Sequence, residues 1–209
     1  MDEKRREIGT IALRGEQLCL NFTNTVSWHA SDHPHEWIHS YNDLLSWSRH
    51  TGMLDEDEYG QLLQAAKHWP TDAAAVLSSA LTLREAIYQI FSDVVADHSP
   101  QQESLAIFQQ AYADAIVHAQ LVLEAEGFTF SWRHNARNLS LPLWVIAHSA
   151  LELLRSQEWR RVKKCPGDGC GWLFVDRSRN QSRRWCNGQN CGNRVRVRQH
   201  YQRRRTSAL

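Results

Sequence analysis

Apolar residues recur every three to four positions along most of this chain, and the breaks fall at residues that start and stop helices. Ser40 can cap a helix ending near Thr51-Gly52, and Asp55-Glu56-Asp57-Glu58 opens another whose first-turn carboxylates suit the positive end of the helix dipole. Thr71 is placed to cap a long helix with a core stripe of Leu77, Leu81, Ile87, Ile90, Phe91 and Val94. Ser99-Pro100 starts the next, with Leu105, Phe108, Tyr112 and Ile116 on one face, and Leu139 to Leu154 returns to the same period. Between these last two, Leu121-Val122-Leu123 and Phe128-Thr129-Phe130-Ser131-Trp132 flank Glu124-Ala125-Glu126-Gly127, the pattern of a β-hairpin.

Near the start, Leu18 to Val26 fits a helix or a strand by period alone. On a helix, Asn21, Asn24 and Thr25 share a face, which makes them either backbone-bonding groups or the lining of a ligand pocket. The turn-rich stretch from Trp28 to His39 carries four histidines without cysteines or carboxylates at a metal-binding interval, so it reads as a surface loop. Past Leu154, Trp172-Leu173-Phe174-Val175-Asp176 reads as a strand, Arg177 to Ser182 as a turn and Arg183-Arg184-Trp185-Cys186 as the returning strand. Gly192 to Arg205 contains no breaker and predicts a terminal helix.

The fold class that follows is mainly α with a small β-hairpin in an N-terminal domain, 1–154, followed by a small zinc-stapled β-hairpin plus helix, 155–209. With 209 residues and 42% hydrophobic content the chain can bury one substantial core, whereas the C-terminal unit is too small to fold on apolar burial alone. No run approaches the roughly 18 apolar residues of a membrane span.

The staple lies in the cysteines, Cys165-x4-Cys170-x15-Cys186-x4-Cys191. Two short-spaced thiol pairs separated by an insert suit a tetrahedral Zn²⁺, and four thiolates leave no open position for water or substrate. One structural zinc per chain is expected, with disulfides, an iron site and free thiols as competing readings. Disulfides fit less well: the count of five cysteines is odd and Met1 to Arg6 carries no apolar leader. Reducing cytoplasm is the expected compartment. Cys19, within Leu18-Cys19-Leu20, is expected to be a core thiol. Trp172 and Trp185, next to the cysteines, are expected to wall the metal core.

Charge separates the two parts more sharply than the net value of +1 implies. Residues 1–154 hold 9 basic and 20 acidic residues, and residues 155–209 hold 15 and 3. A tail this basic points to a polyanion, nucleic acid first. The candidate contacts are Arg177, Arg179, Arg183, Arg184, Arg194, Arg196, Arg198, Gln199, His200, Arg203 and Arg204, since guanidinium forks bind phosphate and can read guanine. Arg184 and Arg194 are also placed to neutralise the thiolate cage, and Val197 to turn inward from the terminal helix.

The run Ser178 to Trp185, then Cys186 and Cys191-Gly192-Asn193-Arg194, together with Cys165-Pro166-Gly167-Asp168-Gly169-Cys170 and Trp172-Leu173-Phe174, resembles the CGNR zinc-finger family. Gly15, Leu18 to Thr25 and Tyr41 to Trp47 are similar to the ABATE domain, which precedes that finger in bacterial transcription regulators described as stress-induced. Asn21 stands where that family commonly has aspartate. The resemblance implies DNA as the target and the four cysteines as zinc ligands.

The expected protein is therefore a transcription regulator whose N-terminal domain senses a small molecule or dimerises. A single finger buries little surface, so a homodimer on two half-sites is expected. RNA binding is the second reading, with Trp172, Phe174 and Tyr201 as stacking platforms. A protein-docking tail is another. No nucleophile, base and orienter set or phosphate loop is visible, so no enzyme activity is expected.

Overall fold

Helix starts in this protein follow local chemistry. The computed structural model describes residues 8–132 and 138–206, apart from the side chains of Gln199, Arg203, Arg205 and Thr206. Its elements are α1 (Leu18–Thr23), β1 (Val26–Ser27), β2 (His35–Glu36), α2 (Tyr41–His50), α3 (Glu56–His68), α4 (Pro70–Val95), α5 (Gln102–Ile116), β3 (Ala119–Glu124), β4 (Gly127–Trp132), α6 (Leu141–Arg155), β5 (Val162–Lys164), β6 (Leu173–Val175) and α7 (Asn193–Thr206). Ser40 Oγ accepts the Asp43 amide at 3.1 Å and starts α2. Asp55 and Glu58 form a reciprocal capping box at the head of α3.

Two starts differ from expectation. α4 begins at Pro70 with Trp69 before it, not after a Thr71 cap; proline at the first turn has no N–H to leave unbonded and a φ already set for a helix. α5 begins at Gln102, beyond Ser99-Pro100. Asp93 Oδ2 at the end of α4 accepts the Gln101 amide at 3.2 Å and draws the chain into its new direction there.

The segment left open by period is α1, and its apolar residues Cys19, Leu20 and Phe22 are fully buried. Phe22 meets Trp47 of α2 at a ring separation of 5.2 Å. α1 packs on α6 and α4, and α5 packs on both of those helices. Burial pushes the Cys19 thiol up to about 12, so it stays protonated as a small core side chain. The expected hairpin is present as β3 and β4, antiparallel with Leu121 opposite Phe130.

The largest departure concerns the second hairpin. β6 pairs with β5, which precedes the first cysteine, in the register Val162↔Val175, Lys163↔Phe174 and Lys164↔Leu173. The first cysteine pair is thus the hairpin's turn, and Arg183 to Cys186 forms no strand. Buried Asp176 explains why. Its carboxylate accepts from Lys163 Nζ at 2.6 Å and from the Ser178 hydroxyl and amide at 2.6 and 2.9 Å. Lys163 Nζ also donates to the Gln181 and Arg183 carbonyls. The backbone of residues 177–183 is therefore organised around one ammonium group instead of a strand ladder.

β6 joins the C-terminal segment to the helical core. Side chains alternate along a strand, so Leu173 and Val175 enter the main core while Phe174 points into the cysteine cluster. The two parts expected from charge and cysteine spacing share a continuous interior at this strand.

Candidate metal centre and nucleic-acid interface

The metal centre is built on two turns. Cys165 directly follows β5 and its amide donates to the Trp172 carbonyl at 2.8 Å, which closes the first turn. Cys186 and Cys191 flank a second turn in which Asn187 Oδ1 accepts the amides of Gln189 and Asn190 at 2.9 and 3.3 Å. All four Sγ atoms are buried and lie within 4.8 Å of one another. Zn–S bonds of about 2.3 Å place tetrahedral sulfurs about 3.8 Å apart. The Cys170–Cys186 and Cys186–Cys191 separations of 3.7 and 3.6 Å fit that edge. The donor set therefore suits one structural zinc. Trp172, Trp185 and Phe174 wall it, as the sequence predicted for the two tryptophans.

The thiols also show why a cation belongs there. Hydrogen bonds from Cys165, Cys170 and Cys186, with help from Arg194, hold the Cys191 thiol far below its ordinary range. A bond from Cys170 lowers Cys165 to about 7. Cys165 pushes Cys170 up, with Cys191 adding to it, and Cys165, Cys170 and Cys191 together push Cys186 up. Ionising one or two thiols opposes ionising the rest, and a divalent cation lifts that opposition. Arg194 Nη2 donates to Cys191 Sγ at 3.2 Å, as expected for a group offsetting cage charge. Arg184 does not share this role: its guanidinium lies over the Trp185 ring at 5.6 Å.

The first turn is pressed against the helical domain. Gly169 and Gly171 have φ of 65° and 68°, in the left-handed region. A Cβ at Gly169 would meet Ser31 Cβ at 2.8 Å, and one at Gly171 would meet Ala30 Cβ and Tyr88 Oη at 2.8 Å. This approach lets the His29 and Ala30 amides donate to the Cys170 and Gly169 carbonyls at 3.1 and 3.2 Å. Trp172 Nε1 donates to the Val26 carbonyl at 2.8 Å. The histidine-rich loop thus cradles the turn. His29 bonds Glu85 at 2.8 Å and stacks on Tyr88, while His33, His35 and His39 are exposed.

Asn21, Asn24 and Thr25, the candidate pocket set, are engaged within the chain. Asn24 Nδ2 donates to the Leu173 carbonyl at 2.8 Å and its Oδ1 accepts the Leu173 amide at 2.9 Å. Both polar atoms of the amide are matched and the residue is sealed from solvent. Asn24 therefore stands in for a neighbouring strand along β6, and Gly15 continues the edge by accepting the Val175 amide at 3.1 Å. Asn21 accepts the Gly15 amide at 2.8 Å. Thr25 donates to the Phe22 carbonyl at 2.7 Å and accepts from Arg84 at 3.1 Å.

Arg84 and Asp176 are structural residues that periodicity did not single out. The Arg84 side chain is buried and holds Glu36 through two bonds of 2.8 and 2.6 Å and Glu85 at 3.0 Å. It fastens β2 to α4. Its only sequence signal is a basic residue within an apolar helical stripe.

Beyond Arg184 and Arg194, the described candidate arginines fall into three groups. Arg183 is structural: it lies over the Phe174 ring at 4.3 Å and bonds Glu16 and the Cys186 carbonyl at 2.9 Å each. Arg177 and Arg198 are exposed but paired, with Glu158 at 2.9 Å and with Asp168 respectively. Arg179, Arg196 and Arg204 are exposed without an ion-pair partner among the described residues, and His200 is exposed beside Tyr201. The side chains of Gln199 and Arg203 lie outside the described residues.

α7 carries this charge away from the metal centre. Val197 and Tyr201 are 46% and 64% exposed, so Val197 does not turn inward. Among the described elements, the turn that holds Cys191 is the main neighbour of α7, so most of the helix is open. Asn193, Arg194, Val197, Arg198, Tyr201 and Gln202 line an open groove along it. Two of the three aromatic platforms expected for RNA are unavailable to a base: Phe174 is fully buried and Trp172 is partly buried and bonded.

Fold and site together define a helical protein carrying a closed four-cysteine zinc finger that ends in a basic helix. Residues 16–157 match the ABATE family model, described as "Putative stress-induced transcription regulator". Residues 161–204 match the CGNR zinc finger. The chain belongs to the ABATE family and bears a CGNR zinc finger after the ABATE domain. No curated protein matches it. Among the described residues, no helix is long and apolar enough to cross a membrane.

Proposed function

We propose that this protein is a DNA-binding transcription regulator that works as a homodimer in the cytoplasm, with α7 as the element that enters a DNA groove and no catalytic role. The observation that carries this reading is the exposed terminal helix: it rises from a metal-pinned turn and presents Arg196 and Arg204, without ion-pair partners among the described residues, beside His200 and Tyr201. A rigid base under a cationic helix favours groove docking, because little side-chain and backbone ordering remains to oppose binding. A single small finger buries only about 600–1,000 Å² on DNA, so two copies on adjacent half-sites account for tight binding. The helical domain then serves dimerisation or effector binding. DNA is favoured over single-stranded RNA because Tyr201 alone of the three expected platforms stays open.

The test is duplex-DNA affinity across a salt series on protein of verified zinc content. Arg196→Ala and Arg204→Ala are each expected to weaken binding and to lower the salt slope by about 1, as loss of one phosphate contact does. Arg198→Ala is expected to cost less, because DNA binding requires Arg198 to exchange Asp168 for phosphate. Zinc-loaded protein without affinity for duplex DNA would overturn the reading and make the basic tail a protein-docking surface. Tighter binding of single-stranded RNA would move the target to RNA.

A further inference from the structure

One face of the β3–β4 hairpin is apolar and uncovered. The register sets Leu121 opposite Phe130 and Leu123 opposite Phe128, and directly opposed residues share a face of the sheet. The other face carries the pair Val122 and Thr129. A hairpin with one apolar face normally buries it, yet Leu121, Leu123, Phe128 and Phe130 are 60%, 71%, 70% and 38% exposed. Among the described residues its ring contacts are at the base, where the Phe130 and Trp132 rings lie 5.1 and 5.6 Å from the His148 ring of α6. Ile116 and Val117, where α5 leads into the hairpin, are exposed as well.

The size of this surface argues for a partner. With ~150–250 Å² for a fully exposed Phe and somewhat less for Leu, the four hairpin residues on this face leave on the order of 400 Å² of apolar surface open, within the ~300–600 Å² of the largest patch on a typical monomer, which is often functional. Adding Ile116, Val117, backbone and rim brings it toward the ~800 Å² that each partner contributes to a standard interface. An isolated two-stranded hairpin is also marginal in water and leaves strand edges open.

Charge decides the occupant. From Val117 to Trp132 the formally charged residues are Glu124 and Glu126, both at the tip. Carboxylates there repel an anionic lipid surface or a nucleic acid. A second copy of the chain fits better: the same apolar face meets itself across a two-fold axis, and antiparallel hairpins set the two acidic tips at opposite ends. We infer that this hairpin face is the seam of a homodimer formed with a second copy of the chain. The seam supplies the two-copy arrangement on which the DNA reading above relies, but it is defined by residues far from α7 in sequence.

The test is sedimentation equilibrium without DNA, on wild type and on Leu123→Glu, Phe128→Glu and Thr129→Glu, each checked for zinc content and helicity. Wild type is expected to dimerise at micromolar concentration. Leu123→Glu and Phe128→Glu should raise the dissociation constant about 100-fold or more, as loss of a buried interface anchor does, whereas Thr129→Glu, on the opposite face, should leave it unchanged. A monomeric wild type, dimeric Leu123→Glu and Phe128→Glu variants, or equal disruption by Thr129→Glu would overturn the proposal. Because the assay contains no DNA, its failure leaves groove binding to the arginine variants, and a dimer lacking DNA affinity would remove the DNA reading while keeping the seam.

Discussion

Cys191→Ala is expected to release zinc and to destabilise the whole chain, not the finger alone. Structural zinc contributes an apparent ~10–16 kcal/mol in small finger peptides, comparable to or larger than the ~5–15 kcal/mol stability of a typical domain. Here the finger is not an appendage. Phe174 packs on the cysteines while its neighbours Leu173 and Val175 lie in the helical core, so loosening the cage loosens β6 from both sides. The expected readouts are loss of bound zinc by elemental analysis and a fall in Tm of at least ~10 °C, at ~2–4 °C per kcal/mol for a chain of this size. Cys19→Ala provides the control. It removes a buried thiol remote from the cage and should keep zinc bound. Full zinc content or an unchanged Tm in Cys191→Ala would refute the role given to this ligand.

Asn24→Ala is expected to cost about 2–4 kcal/mol, because it leaves the buried amide and carbonyl of Leu173 without partners. Zinc should stay bound, since the cage is untouched. The distinguishing readout is hydrogen exchange: the Leu173 amide should lose protection together with that of Val175, which depends on the Gly15 carbonyl along the same edge. A shift in Tm of less than ~2 °C with unchanged exchange would show that Asn24 does not hold the finger to the helices. Such a tie is also a route by which events in the helical domain can reach α7, through β6 and the metal centre. Its strength sets how firmly β6, and with it the finger, is seated on the helical domain.

The places where sequence reasoning stopped short have identifiable physical causes. The sequence pattern predicts Leu173-Phe174-Val175 as one arm of a hairpin between the cysteine pairs. A continuous apolar run also marks a strand buried on both faces, and that signal pointed to the sandwiched position β6 occupies. Its partner Val162-Lys163-Lys164 was hidden by two lysines, one of which organises the loop after Asp176. Asn24 carries the helical spacing of a pocket residue, and the same spacing serves a residue that caps a strand edge. Only the fold distinguishes them. Arg183, Arg184 and Arg194 look alike in a basic tail, yet one holds the finger to Glu16 and Phe174, one covers a tryptophan and one faces a thiolate.

By itself the sequence determined whatever depends on local periodicity and on residue chemistry. Helices α2 to α7 and the β3–β4 hairpin follow from apolar spacing and capping residues, the zinc centre from the four cysteines, and the nucleic-acid expectation from the concentration of arginine after residue 154. Tertiary structure alone decided which strand β6 pairs with, how Asn24, Gly15 and the loop at His29 seat the finger, which arginines stay free, and that the hairpin's apolar face is open. The reason is the same in each case. Periodicity and composition report what a segment can bury or bind, whereas the identity of its partner depends on contacts between residues as distant as Asn24 and Leu173, which no local pattern encodes.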